Sequence, residues 1–326
     1  MNILVTGGAG FIGSHLVDFL VKEGHRVTVL DNFSSGKASN LDSIANRESL
    51  RIIRADIKDQ QSTMDAVRGQ ELVFHFCDNS DIRFAATHTR TYLDQNVLGL
   101  FYVLEGMREH GVRNIAFPSS TTVLGDAKTV PTPEHYGPLQ PMNIYGGAKM
   151  ACEALLSAYS FSFDMKSWIF RFVDIVGARI DHGVIYDFVR KLTADPKQLE
   201  ILGDGSQRRS FLLVGECVEA MWLAINRLNA PVNLVHIGNE DQVSITEVGR
   251  LVQEAMCIHG AHFAYTGGNK GWKGDAFTNF IYMDTLRNLG WRPRMNSADS
   301  VREAATQVHQ GLMRHSGDCA ARAARP

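Results

Sequence analysis

The sequence predicts a doubly wound α/β fold carrying a smaller second α/β domain, on three observations. Residues 2–31 spell a strand, a glycine turn, a helix, a second strand and a terminal acid. Apolar strand segments then alternate with helical patterns through the first half of the chain, which is the signature of a parallel sheet with helices on both faces. After about residue 177 the rhythm breaks into shorter pieces separated by glycine-rich loops, as expected of a second, less regular unit.

The elements follow in order. The first strand is Asn2-Ile3-Leu4-Val5, the turn Thr6-Gly7-Gly8-Ala9-Gly10-Phe11-Ile12-Gly13, and the helix runs on through Ser14–Leu20. Further strands are expected at Arg26–Leu30, Leu50–Ala55, Leu72–Phe76, Asn114–Ser119 and Ser167–Phe172, with long helices at Thr91–His110 and Asn143–Phe163. Right-handed crossovers between such strands place the functional groups at their carboxyl ends. A helix at Val184–Lys191, a turn at Gly203-Asp204-Gly205 and a strand at Ser210–Val214 belong to the smaller unit. The helix Cys217–Arg227 and strand Val232–Ile237 return to the main sheet. The expected division is 1–176 plus 211–237 for the larger domain and 177–210 plus 238–314 for the smaller, a lid over the cleft. Residues 315–326, rich in Ala and Arg without a core pattern, are expected to form a disordered tail.

Composition bounds the function. With 326 residues and 44% hydrophobic content the chain supports a large core. A net charge of −2 gives no basic field for nucleic acid and no polybasic membrane patch. No apolar run approaches the ~20 residues of a membrane span, and no signal peptide is visible. Cys77, Cys152, Cys217, Cys257 and Cys319 are scattered without C-x-x-C spacing, the usage of reduced thiols in a cytoplasmic protein, and no metal site is expected.

The glycine turn carries the first chemistry. A diphosphate sits on the first turn of a helix, where free N–H groups and the helix dipole favour negative charge, and side chains there would block its approach. Gly8, Gly10 and Gly13 fit G-x-G-x-x-G, and Gly7, Gly10 and Gly13 fit G-x-x-G-x-x-G. Asp31, ending the second strand, suits the ribose hydroxyls and repels a 2′-phosphate, which favours NAD over NADP. The layout is that of a Rossmann-type dinucleotide site.

The second constellation is Tyr145-Gly146-Gly147-Ala148-Lys149. On a helix the two outer residues share one face, so the lysine charge lowers the tyrosine pKa and makes a phenolate available for proton exchange with a substrate hydroxyl. The spacing is common on surfaces and acquires meaning from following a complete nucleotide motif. The third piece, Pro118–Gly125, supplies hydroxyls at a strand end that can hydrogen-bond a reacting oxygen.

With these motifs the chain resembles the extended short-chain dehydrogenase/reductases, and among them the sugar-nucleotide 4-epimerases related to UDP-glucose (UDP-galactose) 4-epimerase, over nearly its whole length. The resemblance implies a catalytic set of Ser120, Tyr145 and Lys149. It implies NAD binding by Gly7, Gly10, Phe11, Ile12, Gly13, Asp31, Asn32, Ser35, Gly36, Asp56, Ile57, Cys77 and Asn96, together with Tyr145 and Lys149. It implies sugar-nucleotide contacts from Arg83, Thr121, Thr122, Asp174, Val184, Arg209 and Asp275, with the Arg209 guanidinium on the phosphates. It further implies a UDP-sugar substrate, a redox-neutral inversion at C4 through a 4-keto sugar, and a homodimer formed by the two long helices.

Missing groups narrow the chemistry. The resembling 4,6-dehydratases carry an Asp-Glu pair where Thr121 and Thr122 stand. Asp181 occupies the place of an arginine that would take a sugar carboxylate, which points to a neutral hexose, although Arg83 and Arg179 remain available to a carboxylate. Three departures mark a retuned site: Leu124 in V-Y-G, Asp174 in R-x-x-N, and His75-Phe76-Cys77-Asp78 in place of H-L-A-A. They keep open an epimerase of UDP-hexuronic acid or UDP-N-acetylhexosamine. A 4-ketosugar reductase would consume NADPH, which Asp31 disfavours. A non-catalytic nucleotide sensor would have no use for an activated tyrosine.

Overall fold

The computed structural model describes residues 1–44, 46–82, 84–272, 274 and 278–323, with residues 315–323 described by backbone alone. The chain forms two compact units: residues 1–172, 215–237 and 281–292 make the first, and 173–214, 238–280 and 293–326 the second. The short return of 281–292 to the first unit is a crossing the sequence pattern did not reveal.

The first unit is built on a seven-stranded sheet. Its first six strands are β1 (Asn2–Thr6), β2 (Arg26–Asp31), β3 (Leu50–Arg54), β4 (Leu72–His75), β5 (Asn114–Ser120) and β6 (Lys166–Phe172). The spatial order is Val232–Ile237, β6, β5, β4, β1, β2, β3, and every pairing is parallel. The chain winds outward from β1 to β3, then crosses back to β4, so the order reverses between β1 and β4. A crevice opens at the carboxyl end of such a reversal. Central strands are buried on both faces, as in Leu72–His75, whereas β3 at the edge is largely exposed. One core binds the sheet to its helices, with Leu4, Leu30, Val73, Leu104, Ile115, Phe117 and Leu156 at its centre.

Two helical stretches pack together beside the sheet. Ile144–Ser162 starts at Asn143, whose Oδ1 accepts the Gly146 N–H at 2.8 Å, a regular N-cap. The stretch expected as one helix over Thr91–His110 is α-helical at Thr89–Thr91 and Gly99–His110 but π-helical over Tyr92–Leu98. The wider winding coincides with Asn96 being tied to the Asn79 backbone, accepting its N–H at 3.0 Å and donating to its carbonyl at 3.3 Å.

The second unit holds three two-stranded pairings: Phe211–Leu213 with Asp174–Val176, Arg208–Arg209 with Val243–Ser244, and Gln198–Ile201 with His262–Tyr265. The helices Val184–Ala194, Ile245–Ala255 and Ser297–Ala323 cover a core of Ile185, Phe188, Leu199, Phe211, Leu251 and Val301. The last helix is continuous through Ala323, into the stretch expected as a tail. Among the described residues no helix is long and apolar enough to cross a membrane.

Candidate active site

The glycine turn is shaped by close backbone approach. A Cβ on Gly7 (φ +68°) would lie 2.7 Å from Cys77 N and Phe76 C, because β1 ends directly against the end of β4. A Cβ on Gly13 would lie 2.3 Å from Gly7 O, because the helix Phe11–Lys22 is pressed onto the turn. Gly10 differs: its Cβ would meet only Gly7 O, at 3.2 Å, and otherwise open space. Gly10 is the N-cap of that helix and has no side-chain cap, so the first-turn N–H groups receive none from it. Two glycines thus close the turn and the third leaves an approach to the helix N-terminus. That is the cradle a diphosphate requires.

The side expected to take the adenosine is equally organised. Asp31 Oδ2 accepts the Ala9 N–H at 2.9 Å and Oδ1 the Phe33 N–H at 2.8 Å, so the buried carboxylate is fixed at the end of β2 against the turn. Each carboxylate oxygen retains a further lone pair for a ribose hydroxyl. Gly36 packs on Ala9, and Asn40 Nδ2 donates to Ala9 O at 2.9 Å, folding the loop after β2 back over the turn. Asn32 Nδ2 donates to Asp56 Oδ2 at 3.1 Å, which joins the two residues expected around the adenosine. Ser35 is exposed in the same loop, and Ile57 is buried against Gly99. Phe11 and Ile12 open the glycine helix, with the Phe11 ring edge-on to His15.

At the reversal the chemistry-bearing groups converge. Tyr145 and Lys149 lie one turn apart on their helix, with the Lys149 ammonium 5.6 Å from the Tyr145 ring centre. Ser120 faces the Tyr145 hydroxyl and favours its ionised form, and its Oγ accepts the Thr122 N–H at 3.2 Å where Thr121–Leu124 turns away from β5. The lowering expected from Lys149 is outweighed: the Tyr145 hydroxyl is pushed up to about 12, burial being the main cause, while Lys149 and Ser120 oppose the rise and Asp78 adds to it. Burial is the largest single influence on Lys149 and lowers its pKa, but an acidic neighbour together with Tyr145 and Cys152 outweighs it and holds the ammonium charged, above its ordinary range.

That neighbour is Asp78, whose Oδ2 lies 2.6 Å from Lys149 Nζ. The sequence marked Asp78 as a departure and not as a partner of Lys149. One turn further along the helix, Glu153 accepts the Ser119 hydroxyl at 2.5 Å and a fork from Arg171 at 3.0 and 2.7 Å. Tyr145, Lys149 and Glu153 therefore form one stripe facing the ends of β4, β5 and β6. In β4, His75 Nδ1 and Thr6 Oγ1 are hydrogen-bonded at 2.9 Å, and burial depresses the imidazole to about 3, with Lys149 assisting. Thr6 Oγ1 also accepts the Cys77 N–H at 3.2 Å, and burial pushes the Cys77 thiol up.

The second unit carries Arg209 and Asp174, with Arg209 Nε 3.9 Å from Asp174 Oδ2. Val184 is the first residue of its helix, after Gly183 at φ +90°. Thr121 is half-buried, and Thr122 Oγ1 is buried with no hydrogen-bond partner among the described residues. Arg83 and Asp275 lie outside the described residues.

A parallel sheet with a glycine cradle at its reversal, an acid ending the second strand and a Tyr-x-x-x-Lys face beside them defines a short-chain dehydrogenase/reductase site for NAD. The chain belongs to the NAD dependent epimerase/dehydratase family, whose profile matches residues 3–238. A UDP-glucose 4-epimerase of Lacticaseibacillus casei is 28% identical over 339 residues, covering 98% of this chain and 99% of the relative. A crystal structure of a UDP-galactose 4-epimerase superposes with a TM-score of 0.86 at 37% identity, covering 96% of this chain and 100% of that one. The Thermotoga maritima UDP-glucose 4-epimerase, solved with UDP-glucose, gives a TM-score of 0.86 at 27% identity, with the same coverage.

Proposed function

We propose that this chain is an NAD-dependent 4-epimerase of UDP-glucose and UDP-galactose. The observation that carries the reading is the Ser120–Tyr145–Lys149 cluster at the reversal between β1 and β4, next to the glycine cradle. The family profile and the full-length likeness to UDP-glucose and UDP-galactose 4-epimerases support the same reaction.

Gly7, Gly10 and Gly13 would receive the NAD diphosphate, and Asp31 the adenosine ribose. Asn32 and Asp56 would flank the adenine. When bound, NAD supplies the acceptor and then the donor of the C4 hydride. The protein's own part is proton transfer and orientation. In its phenolate form, which burial opposes and Lys149 and Ser120 favour, Tyr145 takes the proton of the sugar 4-hydroxyl and returns it after the ring has turned. Lys149 stabilises the phenolate through its charge, against the burial that raises the Tyr145 pKa. Ser120 holds the sugar O4 within reach of Tyr145. Thr121 and Thr122 offer no acid for eliminating water, so the reaction stays an epimerisation. Asp181 disfavours a sugar carboxylate, which keeps the substrate a neutral hexose. Arg209 is assigned to the nucleotide phosphates, with the Asp174 carboxylate limiting how far its charge is available.

The protein acts in the cytoplasm as a homodimer. Leu93, Ile144, Met150 and Phe161 lie exposed on the two long helices, apolar surface that a second copy would cover. Replacing Tyr145 by Phe tests the reading: turnover is abolished while NAD binding, followed by fluorescence titration, is retained. A Tyr145→Phe enzyme keeping a near wild-type rate refutes it.

A further inference from the structure

Lys149 is held from several sides within the first unit. Its ammonium is buried, lies 2.6 Å from Asp78 Oδ2, donates to Pro118 O at 2.5 Å and sits 4.6 Å over the Phe117 ring. Asp78 reaches it from just past the end of β4, and Pro118 and Phe117 belong to β5. The pair is buried unequally, with the two side chains 2% and 17% exposed, so solvent screens the attraction little.

We propose that Asp78 is a positioning residue: it fixes the Lys149 ammonium at the end of β5 and offsets the charge that Lys149 presents to Tyr145. The proposal rests on the reading of Tyr145 given above. The groups facing Tyr145 are few enough to assign. Lys149 and Cys152 face it from its own helix, Asp78 from beyond β4, and Ser120 from the end of β5. Tyr92 faces it from the π-helical turn, edge-on at 6.4 Å. Beside Lys149 lies His75, which its depressed pKa keeps neutral near pH 7. Lys149 is thus the only cation and Asp78 the only carboxylate among these described groups.

Asp78 trades acidity for position. Its carboxylate makes the Tyr145 phenolate harder to form, in the same direction as burial. In return it keeps a flexible four-carbon side chain in one place. Removing the charge while keeping the shape should therefore release Tyr145 to ionise at lower pH, by about one unit for a single nearby charge.

The experiment is an ultraviolet difference titration of phenolate in the purified protein, comparing wild type, Asp78→Asn and Asp78→Ala. Each is referenced to its own Tyr145→Phe counterpart, so that only Tyr145 is read. The expected result is a Tyr145 midpoint about one pH unit lower in Asp78→Asn than in wild type. The pH at which kcat rises should move down by the same amount. An unchanged or higher midpoint overturns the proposal. Should Asp78→Ala fail to fold, the isosteric Asp78→Asn still decides. The titration needs no sugar nucleotide. A wild-type protein that epimerises nothing would refute the functional reading, whereas an unmoved midpoint would refute only the role of Asp78.

Discussion

Gly7 and Gly10 should fail for opposite reasons when each is replaced by Ala. Gly7 has φ +68°, and its Cβ would sit 2.7 Å from backbone atoms of Phe76 and Cys77. A left-handed alanine costs about 1–2 kcal/mol, and overpacking against backbone that cannot rotate away costs about 1–3 kcal/mol. Gly7→Ala should therefore lose about 4 kcal/mol of stability, since both penalties apply near their upper range. Gly10 has φ −74°, which alanine adopts freely, and its Cβ would have one neighbour at 3.2 Å. The loss there is that of a poorer N-cap, about 1 kcal/mol or less. The open side of Gly10 is the proposed approach of the diphosphate, so Gly10→Ala should weaken NAD binding in a protein that remains folded. Urea unfolding of the apoprotein gives the stabilities, and NAD fluorescence titration gives the affinities. A Gly7→Ala protein as stable as Gly10→Ala, or a Gly10→Ala protein that binds NAD as the wild type does, would contradict these roles of the two glycines.

Three further predictions follow from the same geometry. Asp31→Ser removes the carboxylate that excludes a 2′-phosphate, so the ratio of NADP to NAD affinity should rise in competitive titration; an unchanged ratio would place the discrimination elsewhere. Glu153→Gln leaves the buried Arg171 guanidinium without its charge partner and should cost about 3–5 kcal/mol in urea unfolding, whereas a loss below about 1 kcal/mol would mean that solvent reaches the pair. His75 and His236 are each depressed by burial from 6.5 to about 3. A folded pKa below the unfolded value means that the unfolded chain binds more protons. The stability is thus complete above pH 6.5 and falls as the pH drops from there towards 3. Each histidine contributes a slope of up to about 1.4 kcal/mol per pH unit. Unfolding free energy measured across that window should show the fall, and His236→Gln should flatten it.

The parts of this protein written in local pattern were legible before its structure. The glycine turn, the acid ending β2 and the Tyr145–Lys149 face depend on spacing along one strand or helix, and spacing is what a sequence records. What pairs across the sheet was not. Asp78 was visible as an unusual charge, but its contact with Lys149 depends on β4 and β5 being neighbours. Glu153 belongs to no sequence motif, and its bonds to Ser119 and Arg171 place it behind the site. The π-helical turn at Tyr92–Leu98 shares its apolar pattern with an ordinary helix, and only the Asn96–Asn79 contacts mark it. The return of 281–292 to the first unit rests on contacts such as the bridge between Thr132 and Ile281, which no periodicity announces.

Incubating the purified protein with UDP-galactose, with no cofactor added, and following C4 configuration by NMR tests the proposed epimerisation. UDP-glucose should form to equilibrium without net change in the redox state of NAD. A protein that carries NAD yet leaves UDP-galactose and UDP-glucose unaltered would contradict it.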